Sequence, residues 1–181
     1  MRPSTTSPTG AERRFGDDEL IVTKTDPRGV ITYANDVFLR VSALTEEQVI
    51  GQPHNIIRHP GMPRGVFDLL WETLRGGSEM FAYVVNLAAD GAHYWVLAHV
   101  TPSVDGSGRL LGYHSNRRVP APGAVAAVRR LYDDLLAVES RHSRPADAVA
   151  ASRALLAQRL QAAGQSYEEF VWSLVPQGAA A

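Results

Sequence analysis

Eleven residues, Pro53-His54-Asn55-Ile56-Ile57-Arg58-His59-Pro60-Gly61-Met62-Pro63, limit the fold of this chain more than any other stretch. Three prolines fix φ there, and each biases the residue before it away from the helical region. No long helix or strand can run through such a segment. It must be a shaped loop, with room for a single helical turn. His54, Asn55, Arg58 and His59 surround two apolar residues, a mixture suited to gripping a ligand.

Short elements flank the loop. Leu20–Thr25 and Val30–Tyr33 read as strands joined by the Asp26-Pro27-Arg28-Gly29 turn. Asn35 is placed to cap a helix carrying Val37, Phe38 and Val41. Thr45-Glu46-Glu47-Gln48 has capping-box form, with Gly51 closing the helix. After the loop, Val66, Phe67, Leu69, Leu70 and Leu74 mark a longer helix, with Trp71 beside them, ending at Gly76-Gly77. Three strands follow, Met80–Leu87, His93–Thr101 and Arg109–Asn116, joined by turns at Ala89-Asp90-Gly91 and Asp105-Gly106-Ser107-Gly108. Pro120–Gly123 reads as a hinge. Beyond it the period becomes helical, with Val125, Val128, Leu131, Tyr132, Leu135 and Val138 on one stripe. Arg129/Asp133 and Arg130/Asp134 are spaced as i,i+4 pairs on its other side. An Ala-rich helix over 146–163 and a last helix opened by a Ser166/Glu169 capping box complete the chain. Strand runs separated by a helical cluster indicate an α+β fold.

Composition narrows the chemistry. The 181 residues contain no cysteine, which excludes disulfides, thiolate metal ligation and thiol switching. A redox sensor built from this chain must borrow its chemistry from a cofactor. The net charge of -1 and scattered basic residues argue against nucleic-acid binding. No apolar run reaches the roughly 18–20 residues of a membrane span. No signal-peptide core is visible, so a cytoplasmic location is expected. No nucleophile–base motif or phosphate-cradling glycine loop appears, and an enzyme is not expected.

The ordered motifs resemble PAS domains of the aerotaxis-receptor type, here as a stand-alone soluble protein. The matching residues are Thr25-Asp26 with Gly29, Ile31–Phe38, Ile50–Pro60, Met62-Pro63, Phe67 with Trp71, and Asn86 with Asp90-Gly91. Tyr94-Trp95-Val96, Thr101-Pro102 and Gly112-Tyr113 complete the set. The resemblance implies a five-stranded antiparallel sheet with short helices on one face and FAD between them. It associates Asn35, Arg58, His59, Phe67 and Asn86 with flavin binding or its signal. Three positions depart from the best-known members: Gly61 replaces an Asp, Met80 a Trp beside the flavin, and Val85 a Lys.

The resulting domain plan is a flexible arm over 1–17, a PAS sensor domain over 18–119, a helical extension over 124–175 and a tail over 176–181. The candidate cofactor-binding set is Asn35, His54, Asn55, Ile57, Arg58, His59, Phe67, Trp71, Met80, Asn86 and Trp95. The Arg58 guanidinium suits a pyrophosphate. Asn86 shares a strand face with Met80, Ala82 and Val84, where it must find a partner or cost roughly 1–3 kcal/mol. Phe67, Trp71 and Trp95 are equally suited to core packing. The opposite face, Phe81, Tyr83, Val85 and Leu87, is also apolar, so a partner subunit or the C-terminal helices should cover it.

Three functions remain open at this level. One is an FAD-binding redox or oxygen sensor that signals by conformational change, as a homodimer or to a chemoreceptor, kinase or second-messenger enzyme. Another is a haem sensor with His59, His93, His99 or His114 on the iron. The third is a cofactor-free dimerisation module.

Overall fold

A computed structural model describes residues 6–176. Five strands form one antiparallel sheet in the order β2-β1-β5-β4-β3: β1 Ile21–Thr25, β2 Ile31–Ala34, β3 Met80–Leu87, β4 His93–Val104 and β5 Leu110–Arg118. Between β2 and β3 lie helices α1 (Asp36–Ser42), α2 (Glu46–Val49) and α3 (Arg64–Arg75), with a 3₁₀ turn at His54–Ile57 inside the proline-rich loop. Then come α4 (Pro122–Glu139), α5 (Pro145–Ala163) and α6 (Tyr167–Ser173). This is the α+β architecture that the resemblance implies.

The helix starts follow from their caps. The Asn35 side chain accepts from Phe38 N and opens α1. Thr45 and Ser166 form capping boxes at α2 and α6. Helix α4 begins at Pro122, inside the expected hinge, because proline is compatible with the first helical position.

Strand β4 continues past Thr101 through Pro102. Its pairing with β3 ends at Val100, so the missing Pro102 N–H faces no partner strand. Strand β5 extends to Arg118 and brings Arg117 into the sheet.

Alternation along β3 sorts its side chains as expected. Val84 and Asn86 face the α3 side, whereas Phe81 and Tyr83 face the other. The second apolar face is covered by the chain's own C-terminal helices. Val128, Tyr132 and Leu135 of α4 and Val171 of α6 are buried with Tyr83, Trp95 and Leu97. The Tyr132 hydroxyl donates to the Tyr83 carbonyl at 2.6 Å, capping part of the exposed edge of β3. The spacing-based charge pairs on α4 do not form. Asp134 instead accepts from Arg159 of α5 at 2.8 Å, and Arg129 turns over the Trp95 ring at 5.7 Å.

Part of the N-terminal arm is held down. Thr9 N donates to Gly91 O at 2.9 Å, His93 N to Ala11 O at 2.9 Å and Arg13 N to His93 O at 2.7 Å. Arg13 also pairs with Asp90, and Phe15 is buried. The arm supplies backbone partners to the start of β4.

Gly112 permits the closest approach in the sheet. A Cβ there would sit 1.9 Å from the Thr25 carbonyl oxygen. Gly112→Ala is expected to destabilise the protein by about 1–3 kcal/mol, as overpacking does, read as a lower midpoint in urea unfolding.

Candidate functional site

Between the sheet and α3 lies a cavity of about 450 Å³, within the size range of small-molecule sites. The sheet wall comprises Thr25, Val84 and Asn86, Ala98 and Val100, and Tyr113, Ser115 and Arg117. The facing wall is the amphipathic α3, through Phe67, Leu70, Trp71 and Leu74. The proline-rich loop supplies His54, Asn55, Ile57 and Arg58 at one end.

The first half of the loop is held in place at both ends. Val30 pairs with Pro53, and Arg58 pairs with Asn86 of β3, each as an isolated antiparallel bridge. The backbone thus brings together the two residues with the sharpest polar signal in the sequence. The Arg58 guanidinium lies 4.5 Å above the Phe67 ring, a cation–π arrangement. Burial lowers its pKa first, with further lowering by the nearby charge of Arg64, which also lines the cavity. Trp71 closes the cavity between the Gly29 turn and Tyr113, whose ring lies 5.4 Å away edge-on.

Unpartnered polar atoms mark the sheet wall. Asn86 Nδ2, Thr25 Oγ1, Ser115 Oγ and Arg117 Nη1 are buried without a hydrogen-bond partner. A group left in that state costs roughly 1–3 kcal/mol, more if charged. Arg117 is 5% exposed. Its Nη2 donates to Thr23 Oγ1 at 3.0 Å and to His54 Nε2 at 2.7 Å. Guanidinium has no acceptor, so His54 Nε2 must accept and the ring proton sits on Nδ1. Burial, followed by the Arg117 charge, pushes the His54 pKa down to about 3. Burial also lowers Arg117 to about 10, leaving it cationic near neutral pH.

Of the eleven sequence candidates, His54, Asn55, Ile57, Arg58, Phe67, Trp71 and Asn86 line this cavity. Four do not. The Asn35 amide is occupied structurally: Oδ1 accepts from Val22 N and Phe38 N, and Nδ2 donates to Leu20 O. His59 braces its own loop, Nδ1 accepting from Gly61 N at 2.9 Å. Met80 is buried opposite Val100 at the start of β3, outside the lining. Trp95 has the opposite strand parity from Ala98, and its ring lies with Tyr132 on the outer face.

Sequence reasoning missed Arg117, Thr25 and Ser115. The usable signal was parity, since Tyr113, Ser115 and Arg117 share one face of β5. Ending that strand at Asn116 hid the arginine.

The sign of the His54 shift sets a pH dependence. The unfolded ring binds a proton near its ordinary pKa, whereas the folded ring stays neutral down to about 3. Stability is therefore complete above about pH 6.5 and falls as pH drops toward 3. His59, also lowered by burial, adds in the same direction. The urea midpoint should decline between pH 6.5 and 5, above the carboxylate range, and His54→Gln should flatten that decline.

Comparisons with known proteins agree with this geometry. Residues 21–115, more than half of the chain, match the family described as the PAS fold. The chain is 41% identical over 121 residues to the aerotaxis receptor of Escherichia coli K12, covering 67% of this chain and 24% of that protein. It is 30% identical over 99 residues to the nitrogen fixation regulatory protein of Klebsiella pneumoniae, covering 55% and 20%. The chain thus spans about a quarter or less of these relatives' lengths. Among solved structures, a light-oxygen-voltage domain studied with a flavin analogue superposes with TM-score 0.55 at 17% identity, covering 64% of this chain and 86% of that one. The blue-light photoreceptor Aureochrome1 LOV in its light state gives 0.54 at 18% identity, covering 67% and 93%. The five-stranded sheet, the cavity beneath α3 and the family match lead to one assignment: the chain belongs to the PAS-fold family.

Proposed function

We propose that this chain is an FAD-binding sensor of redox state or oxygen that signals to a partner by conformational change. One observation carries the reading. Four unpartnered polar groups line one wall of a cavity whose other wall is aromatic and aliphatic. A heteroaromatic ring with donors and acceptors along its edge satisfies such a wall, while its apolar face packs on α3. The residues present therefore fit a flavin. Asn86, Thr25, Ser115 and Arg117 would hold its polar edge, Phe67 and Leu70 its face, and Arg58 with Arg64 its phosphates.

When bound, flavin supplies reversible electron transfer with a change in ring charge. The chain's contribution is electrostatic. Arg117 and Asn86 would offer donors to the ring edge, and neutral His54 fixes the Arg117 guanidinium. Those donors would meet negative charge added to the ring. The similarity to the aerotaxis receptor and the nitrogen fixation regulatory protein supports this sensory role.

The haem alternative finds little support at this cavity. His54 is the imidazole that lines it, and its Nε2 is engaged by Arg117. His99 pairs with Glu79, and His114 lies beside Asn116. The cofactor-free module loses its main motive too, because α4 and α6 cover the apolar outer face. A homodimer would use another surface. In this reading residues 18–119 sense and 124–175 transmit, in the cytoplasm, to a chemoreceptor, kinase or second-messenger enzyme. Among the described residues no helix is long and apolar enough to cross a membrane.

The visible spectrum tests the proposal. Purified or FAD-reconstituted protein should show a blue-absorbing flavin band that bleaches on reduction. Arg58→Ala and Asn86→Ala should each weaken FAD about tenfold, the loss of one or two buried polar contacts. A protein that stays colourless after reconstitution overturns the flavin reading, and a Soret band replaces it with haem.

A further inference from the structure

Helix α3 has neighbours on two sides. Its Phe67, Leu70 and Trp71 side chains form the cavity wall, while the start of the helix receives α5. The approach of α5 is unusually close. A Cβ added to Gly65 would lie 2.5 Å from Ser152 Oγ and 3.1 Å from Arg153 N. Ala148, Ser152 and Leu156, spaced i, i+4 and i+8, are the buried stripe of α5. Arg153 bridges to Asp68 at 3.3 Å and to Glu72 at 2.5 Å along α3.

Two further contacts tie the extension to the site. Val149 of α5 is itself a lining residue of the cavity. Glu139, at the end of α4 and 8% exposed, accepts from Gly65 N at 3.1 Å. Its charge also acts on Arg58 across the same junction. The C-terminal extension therefore does more than cover the outer sheet face. It passes around the β3 edge and completes a wall on the ligand side.

We infer that α5 is part of the ligand site, and that occupancy of the cavity and docking of α5 on α3 are energetically coupled. This rests on the reading that the cavity takes a ligand, and it names the element through which occupancy is read out. A ligand that fills the space beside Val149 and Phe67 adds contacts to α3 and α5 in their docked arrangement. Docked α5 must then favour the ligand by the same factor, because coupling between two equilibria is reciprocal. The first half of α4 and helix α6, packed on the far face of the sheet, are not needed for this route.

Hydrogen–deuterium exchange on the full chain, with added FAD as ligand, tests the coupling. FAD should slow exchange of the α5 amides at least threefold, with the first half of α4 unaffected. Reciprocally, Ser152→Leu, which drives a branched side chain against Gly65, should weaken FAD at least threefold.

A ligand-free arm uses Ala98→Phe, which places a phenyl ring in the cavity from β4. It too should slow α5 exchange, and Val100→Phe serves if Ala98→Phe fails to fold. If FAD does not bind but the tethered ring protects α5, the coupling stands and the flavin reading falls. If FAD binds, α5 exchange is unchanged and Ser152→Leu binds FAD like the parent protein, the coupling is overturned and the flavin reading stands. Unchanged α5 exchange in both the FAD and the phenyl arms overturns the coupling whatever the ligand.

Discussion

A buried guanidinium without a carboxylate beside it organises this structure. Arg117 is the penultimate residue of β5, with one terminal nitrogen shared between Thr23 and His54 and the other unpartnered. Desolvating a cation is expensive unless its donors are met. Three consequences follow. His54 must stay neutral to accept from it, which fixes the 3₁₀ turn of the proline-rich loop against β1. That loop then runs on to Arg58, where it pairs with Asn86. The cavity wall is left with free donors, so whatever enters must bring acceptors. Carboxylate-free burial of this kind is weak evidence for stability and better evidence for a ligand.

Local signals in the sequence account for much of the fold. Asn35, Thr45 and Ser166 announced their helices because a cap depends on residues only three positions away. The β3–β4 hairpin followed from strand patterns around Asp90-Gly91. The proline-rich loop was legible because proline acts on its own backbone. The coverage of the outer face was foreseen from parity alone, with both faces of β3 apolar.

The site was less legible, for reasons that are also physical. Arg58 and Asn86, both in the cavity lining, stand out in the sequence, Arg58 as a guanidinium in a shaped loop and Asn86 as a polar residue on an apolar strand face. Trp95 and His59 do not line the cavity, and their residue types do not foretell this, because aromatic and imidazole side chains serve cores, loops and ligands alike. Trp95 is assigned by the register of β4, and His59 by its bond to Gly61 two residues on. Arg117 required knowing that β5 outlasts Asn116, which depends on pairing with β1 and not on local propensity.

The packing of α5 on α3 left almost no periodic trace, and the reason bears on how such an extension can act. A contact made by Gly65, Ala148 and Ser152 brings backbones close but buries little apolar side chain. Its stability comes from close packing, one buried leucine and the exposed Arg153 bridges, which are individually worth about 1 kcal/mol or less. The α4 contact is different, with Tyr132, Val128 and Leu135 sunk into a core of aromatic rings. The extension therefore has one half held by aromatic and aliphatic burial on the outer face and another held by close backbone approach against the ligand wall. Coupling free energies of about 1–3 kcal/mol can shift the second without disturbing the first. The inferred readout through α5 needs that asymmetry, which arises from where the small residues fall along α5.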